Sequence, residues 1–105
     1  MWAQLIRARL AEGKSDEDLL RLEDAVRATE AAGSGWIRTT MSRDQNDPDE
    51  CYIFVLFESE EAARAREQAP GREEEMAPAR AMMAELFDGP PQFVDMVVVS
   101  EAHAD

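Results

Sequence analysis

Apolar residues follow distinct patterns along this chain. From Tyr52 to Phe57 they are continuous and rich in β-branched and aromatic types, which predicts a strand buried on both faces. Phe93 to Ser100 is nearly as apolar and predicts another strand. Trp2 to Leu10 alternates loosely, and Trp36 to Ser42 carries the β-branched Ile37, Thr39 and Thr40, so both read as strands. Leu19, Leu22, Val26 and Thr29 instead recur at helical spacing. So do Met76, Met82, Met83, Leu86 and Phe87 within a helical stretch from Arg72 to Phe87.

Polar residues punctuate these elements. Ser15 is placed to cap the first helix, with Asp18 three residues on as in a capping box, and Gly33-Ser34-Gly35 stops it. A polar loop from Arg43 to Glu50 joins the second and third strands. Ser59 caps the next helix, which Pro70-Gly71 breaks. Pro78 predicts a kink or restart in the following helix, and Asp88-Gly89-Pro90-Pro91 ends it. The order is β-α-β-β-α-β with the second helix broken near Pro70-Gly71, an α+β, ferredoxin-like arrangement with an antiparallel sheet. Residues 1–100 are expected to form one domain and 101–105 a flexible polar tail. Two helical segments cover only one sheet face. An apolar bare face needs a cover, and a second copy of the chain is the simplest one.

Composition narrows the function classes. The chain has 105 residues, 45% of them hydrophobic, and a formal net charge of −12. That charge repels polyanions, so neither nucleic acid nor an acidic membrane surface is an expected partner. No apolar run approaches the ~20 residues of a membrane span. Arg7 and Arg9 interrupt the N-terminal apolar stretch, against a signal peptide. Cys51 is the only cysteine, which excludes an intrachain disulfide and fits a reducing cytoplasm.

Four landmarks carry a family resemblance. Met1-Trp2-Ala3 opens a strand at once. Gly35-Trp36 enters strand two. Phe57-Glu58-Ser59-Glu60 joins strand three to the second helix, and Gly89-Pro90-Pro91 turns into the last strand. In their order and spacing the chain resembles the dimeric α+β barrel superfamily, and within it the antibiotic biosynthesis monooxygenase-like family. The resemblance implies a homodimeric dimeric α+β barrel and a cofactor-independent oxygenation of a small aromatic or polyketide-type molecule in a hydrophobic pocket. The alternative is a non-catalytic small-molecule-binding or structural dimer. The resemblance places Cys51, Ile53, Val55 and Phe57 on the helix side, where the pocket lies, and Tyr52, Phe54 and Leu56 in the dimer interior. Matched at the aromatic-Glu-Ser-Glu joint, the family's strand-three asparagine and tryptophan fall on Ile53 and Phe57. Neither residue here has a hydrogen-bonding side chain. Haem degradation needs an axial histidine on a helix, and His103, the only histidine, lies in the tail.

Candidate chemistry is sparse. Trp36, Ile53, Phe57, Met83 and Phe87 are the expected ligand-binding wall, although methionines at helical spacing also make an ordinary core. Arg38, read by alternation as sharing a face with Trp36, is a candidate for a phenolate or carboxylate, or else a solvent-facing edge arginine. Asp95 interrupts the apolar alternation of strand four. It is a candidate base with a raised pKa, or a partner of a nearby arginine. The acidic loop Asp44 to Glu50 lacks the glycine and distal glutamate of a calcium loop and reads as solvated. Cys51 has no basic neighbour to activate it. No residue set matches a haem, flavin or metal ligand shell, so no cofactor is expected.

Overall fold

In the computed structural model, which describes residues 1–104, each apolar pattern resolves into an element. The chain runs β1 (Trp2–Arg9), α1 (Asp16–Arg27), β2 (Trp36–Arg43), β3 (Glu50–Phe57), α2 (Glu60–Glu67), α3 (Arg72–Leu86) and β4 (Gln92–Val97). The strands form one antiparallel sheet in the order β2-β3-β1-β4. This is the ferredoxin-like α+β arrangement, with the second helical region divided at Pro70-Gly71. Gly71 makes the division possible: it adopts φ +79° and caps α3, a conformation that costs glycine little.

Alternation along the strands decides what the helices cover. Ala8, Cys51 and Ile53 point to the helix side. They pack with Leu19 and Leu22 of α1, Ala79 and Leu86 of α3, and Phe87. Trp2, Phe57 and Ala63 of α2 make a second cluster. A leucine buried as fully as Leu22 contributes about 1.5–3 kcal/mol, so the α1 and α3 contacts dominate this small core. At the start of α1 the Asp18 carboxylate accepts the Ser15 backbone N–H at 2.9 Å. That bond, and then Arg21, hold Asp18 below the ordinary carboxylate range.

The opposite sheet face carries no helix. Leu5, Tyr52, Phe54 and Met96 are half-buried there and Val94 is exposed. Leu56 differs from its two expected interface companions. It is fully buried within the single chain, between Ala3 and Arg38 on the neighbouring strands, and has no surface left for a partner. The segment after β4 reaches across this end of the sheet: the Val98 N–H donates to the Met1 carbonyl at 3.3 Å, and Arg38 pairs with Glu101 at 2.9 Å. Glu101 is therefore tied down. The proposed flexible tail ends at Asp105, which lies outside the described residues.

Helix α3 runs through Pro78 without restarting. Pro78 and Glu74 are both exposed, so the carbonyl that loses its N–H partner faces water instead of an apolar core. Strand β4 ends at Val97 instead of continuing to Ser100, because its partner β1 runs out at Trp2, the residue opposite Val97. The acidic loop also has a local use. Arg9 pairs with Asp47, Asp49 and Glu50 at 3.2, 3.7 and 2.8 Å. Among the described residues no acidic, histidine or cysteine cluster has a metal-binding arrangement.

Candidate functional site

A cavity of about 920 Å³ lies between the helix side of the sheet and the helices, within the range of ligand pockets, roughly 300–1,000 Å³. Its walls are mostly apolar. Trp36, Ile53, Phe57, Met83 and Phe87 all border it. Gln4 of β1 and Phe93 of β4 border it as well. They share a face with Val55 and Ile53 through the strand register; neither is among the expected wall residues, and the alternation of β1 and β4 is the signal that could have found them. Met82 does not belong to this wall: it is exposed on the outer side of α3.

Arg38 is not on the cavity side. A one-residue bulge at Ile37 interrupts the pairing, so that Trp36 lies opposite Phe57 while Arg38 lies opposite Leu56. Alternation therefore resets between them, and the two side chains point to opposite faces. Trp36 faces the cavity, where its indole N–H donates to Thr39 Oγ1 at 2.9 Å. Arg38 faces the bare side and Glu101.

Asp95 is on the helix side but is not a buried base. Its carboxylate is about half exposed; it accepts from Gln4 Nε2 at 3.0 Å and pairs with Arg64 at 3.1 Å. Gln4 first, and then Arg64, hold its pKa below the ordinary carboxylate value. The carboxylate stays ionised at neutral pH and adds to stability above the unfolded carboxylate range. That contribution fades as pH falls through its lowered folded pKa. Arg64 also lies over the Trp2 ring, 5.2 Å from its centroid. Cys51 is buried, and desolvation raises its thiol pKa against the weaker pull of Arg43, which keeps it an unreactive core thiol.

The charged end of the cavity escaped the sequence reading. Glu30, just past α1, Arg66 of α2 and Arg72 of α3 border the cavity together. Glu30 and Arg72 side chains are each 7% exposed and Arg66 is 13% exposed. Arg66 forks onto Glu30 through Nε, at 2.8 and 2.9 Å, and through Nη2. Its guanidinium also lies over the Phe57 ring at 5.2 Å. Arg72 Nη1 donates to Thr29 Oγ1 at 2.7 Å and to the Thr29 carbonyl at 3.3 Å. The sequence did hold one clue. Arg72 is the first residue of α3, where the helix dipole disfavours a cation, so some other interaction must hold it there.

The sequence matches the family described as antibiotic biosynthesis monooxygenase over residues 1–77. No curated protein matches it. Its structure is similar to Rv0793 from Mycobacterium tuberculosis, at 18% identity and TM-score 0.70, with 97% of this chain and 98% of that one covered. It is also similar to SnoaB, a cofactor-independent oxygenase from Streptomyces nogalater, at 13% identity and TM-score 0.71, covering 95% and 94%. A Chloroflexus aurantiacus protein aligns at 20% identity and TM-score 0.64, with 98% of each chain covered. At such identities the structural likeness speaks to fold. The sequence match covers most of the chain, and on that ground this chain belongs to the antibiotic biosynthesis monooxygenase family.

Proposed function

We propose that the chain is a cofactor-independent oxygenase of a small aromatic or polyketide-type molecule. The observation that carries this reading is the cavity of about 920 Å³, whose accessible wall is mostly apolar and includes aromatic and aliphatic side chains of the sheet and of α3. In such chemistry an electron-rich ring, as its phenolate or enolate, is itself the reductant of oxygen. A ring methylene becomes a carbonyl with one oxygen atom, and its two hydrogens leave with the other as water. The protein's part is to exclude water and hold the ring in a reactive orientation. Trp36 and Phe57 serve as the flat walls, Met83 and Phe87 as adaptable ones. Thr39, whose oxygen accepts the indole N–H, keeps its own O–H free to donate.

Oxygen uptake with a panel of hydroxyanthrones and naphthoquinols tests the reading. Uptake that depends on protein and scales with its concentration is the expected result. Ile53→Asn, which adds an amide inside the cavity, should raise the rate or leave it intact. Silence of both proteins across the panel would remove the catalytic reading. The second reading, a non-catalytic binding protein, is favoured by one observation: Ile53, buried on the cavity wall, cannot hold an oxyanion by hydrogen bonding.

The proposed working unit is a homodimer joined through the bare sheet faces. Leu5, Tyr52 and Phe54 keep apolar surface there that a single chain leaves half-covered. Light scattering at micromolar concentration should give twice the chain mass. Phe54→Glu should shift the protein to monomer or to aggregate, since an unpaired charge on a buried face is costly. A wild-type chain that runs as a stable monomer would sink the idea.

A further inference from the structure

We propose that Arg72 is the docking point for an oxyanion on the ligand, which makes the preferred ligand a flat apolar molecule carrying one ionised carboxylate, phenolate or enolate. This rests on the pocket reading above and adds to it the charge of the ligand and the residue that reads it.

Four arginines and four glutamates border the cavity. Arg27 is taken by Glu23 at 2.7 Å, and Arg80 reaches Glu73 at 3.9 Å. Glu67 is 4.0 Å from Arg64, outside the cavity wall. Arg66 takes both oxygens of Glu30. Arg72 Nη2 reaches that carboxylate only at Oε1, an oxygen Arg66 already holds, and at 3.7 Å, beyond hydrogen-bond distance. Its single hydrogen-bonding residue is Thr29, a neutral group reached through Nη1 alone. Among the described residues, Nε and Nη2 of Arg72 have no hydrogen-bond acceptor.

Among the described residues no fully buried side-chain nitrogen or oxygen lacks a partner, so those nitrogens are not sealed in the core. Arg72 borders the cavity, which is the open space beside them. Within ion-pairing distance this buried corner holds two guanidinium groups and one carboxylate, while Glu75 and Glu67 act on Arg72 only from further away. Water in the cavity can satisfy the N–H groups but not the charge. A ligand oxyanion satisfies both, in the side-on geometry that a guanidinium offers a carboxylate. The corner adjoins Phe57, over which Arg66 lies, so a ring stacked along that wall carries its oxyanion toward Arg72. Burial and the adjacent Arg66 push Arg72 below the usual guanidinium pKa, which agrees with a cation short of a counter-charge.

The test compares 2-naphthoate with its neutral isostere 2-naphthamide by calorimetry on the whole protein. Wild type should bind the acid roughly tenfold or more tightly, the increment of a charge-assisted hydrogen bond over a neutral one. Arg72→Met should remove the preference by weakening the acid alone, and Arg72→Lys should keep part of it. A nitrophenol studied above and below its own pKa separates a ring oxyanion from a carboxylate. Equal binding of acid and amide to wild type overturns the proposal while leaving the pocket reading in place. So does a preference that survives Arg72→Met. If neither probe binds, both readings fall. Should Arg72→Met not fold, the wild-type comparison decides by itself.

Discussion

Glu30→Gln is expected to destabilise the protein by about 3–5 kcal/mol, the cost of removing one member from a buried ion pair. Among the described residues Glu30 is the only carboxylate within 4 Å of both Arg66 and Arg72, and all three side chains are largely withdrawn from water. A surface pair of the same length would contribute about 0–1 kcal/mol. The difference lies in what is left behind. Glutamine keeps the shape and one acceptor, but two guanidinium groups then face each other without a counter-charge. Loss of that size is a large share of the roughly 5–15 kcal/mol that holds a domain together, and it should lower Tm by on the order of 15 °C. Thermal and urea unfolding read it directly. Adding Arg66→Met to Glu30→Gln should return part of the loss, because it removes one of the stranded charges. A loss below about 1 kcal/mol would mean that the corner is solvated like a surface, and would count against the charge argument for Arg72 as well.

Gly35→Ala is expected to cost about 2–5 kcal/mol, and for two separable reasons. Gly35 is buried with φ +88°, and a Cβ built there would stand 2.5 Å from the Cβ of Ala62 in the first turns of α2. The left-handed backbone costs an L-residue about 1–2 kcal/mol, and forcing α2 aside costs a further 1–3 kcal/mol or so. The carbonyl of Gly35 also accepts the Glu58 N–H at 2.8 Å, so the two segments cannot separate without losing that bond. Ala62→Gly in the same chain should recover the steric part and leave the backbone part. Chemical denaturation of the two single variants and the double separates these contributions. A Gly35→Ala protein as stable as wild type would show that the two segments are not in fixed contact.

The fold was readable because its signals are local. Continuous Tyr52–Phe57, the spacing of Leu19 and Leu22, and the Pro70-Gly71 break each act within a few residues. The apolar half of the site followed from the same alternation. The polar half did not. Trp36 and Arg38 were assigned to one face because nothing in their neighbourhood announces a bulge: Ile37 is an ordinary strand former, and no glycine marks the spot. Asp95 stayed open between a base and an arginine's partner because its actual partners, Gln4 and Arg64, come from β1 and α2. Arg66 and Arg72 each sit among other charged residues, where a solvated helix surface is the ordinary expectation, and Glu30 lies among small residues just past α1, where a solvated turn is. Only the packing of α1 against α3 turns them inward together.

The bulge at Ile37 also means that the aromatic wall is moored on both sides of an irregularity. Trp36 takes its phase from the turn before it, through Gly35 and its bond to Glu58. Thr39 and Met41 take theirs from the ladder with Val55 and Ile53. Ile37 is the slack between the two, and the indole bond to Thr39 spans it. A strain that shifts the β2–β3 hairpin can be taken up in part at that residue, and what remains reaches the indole through Thr39. One extra residue, bridged by one hydrogen bond, thus sets how tightly the shape of the cavity mouth follows the sheet.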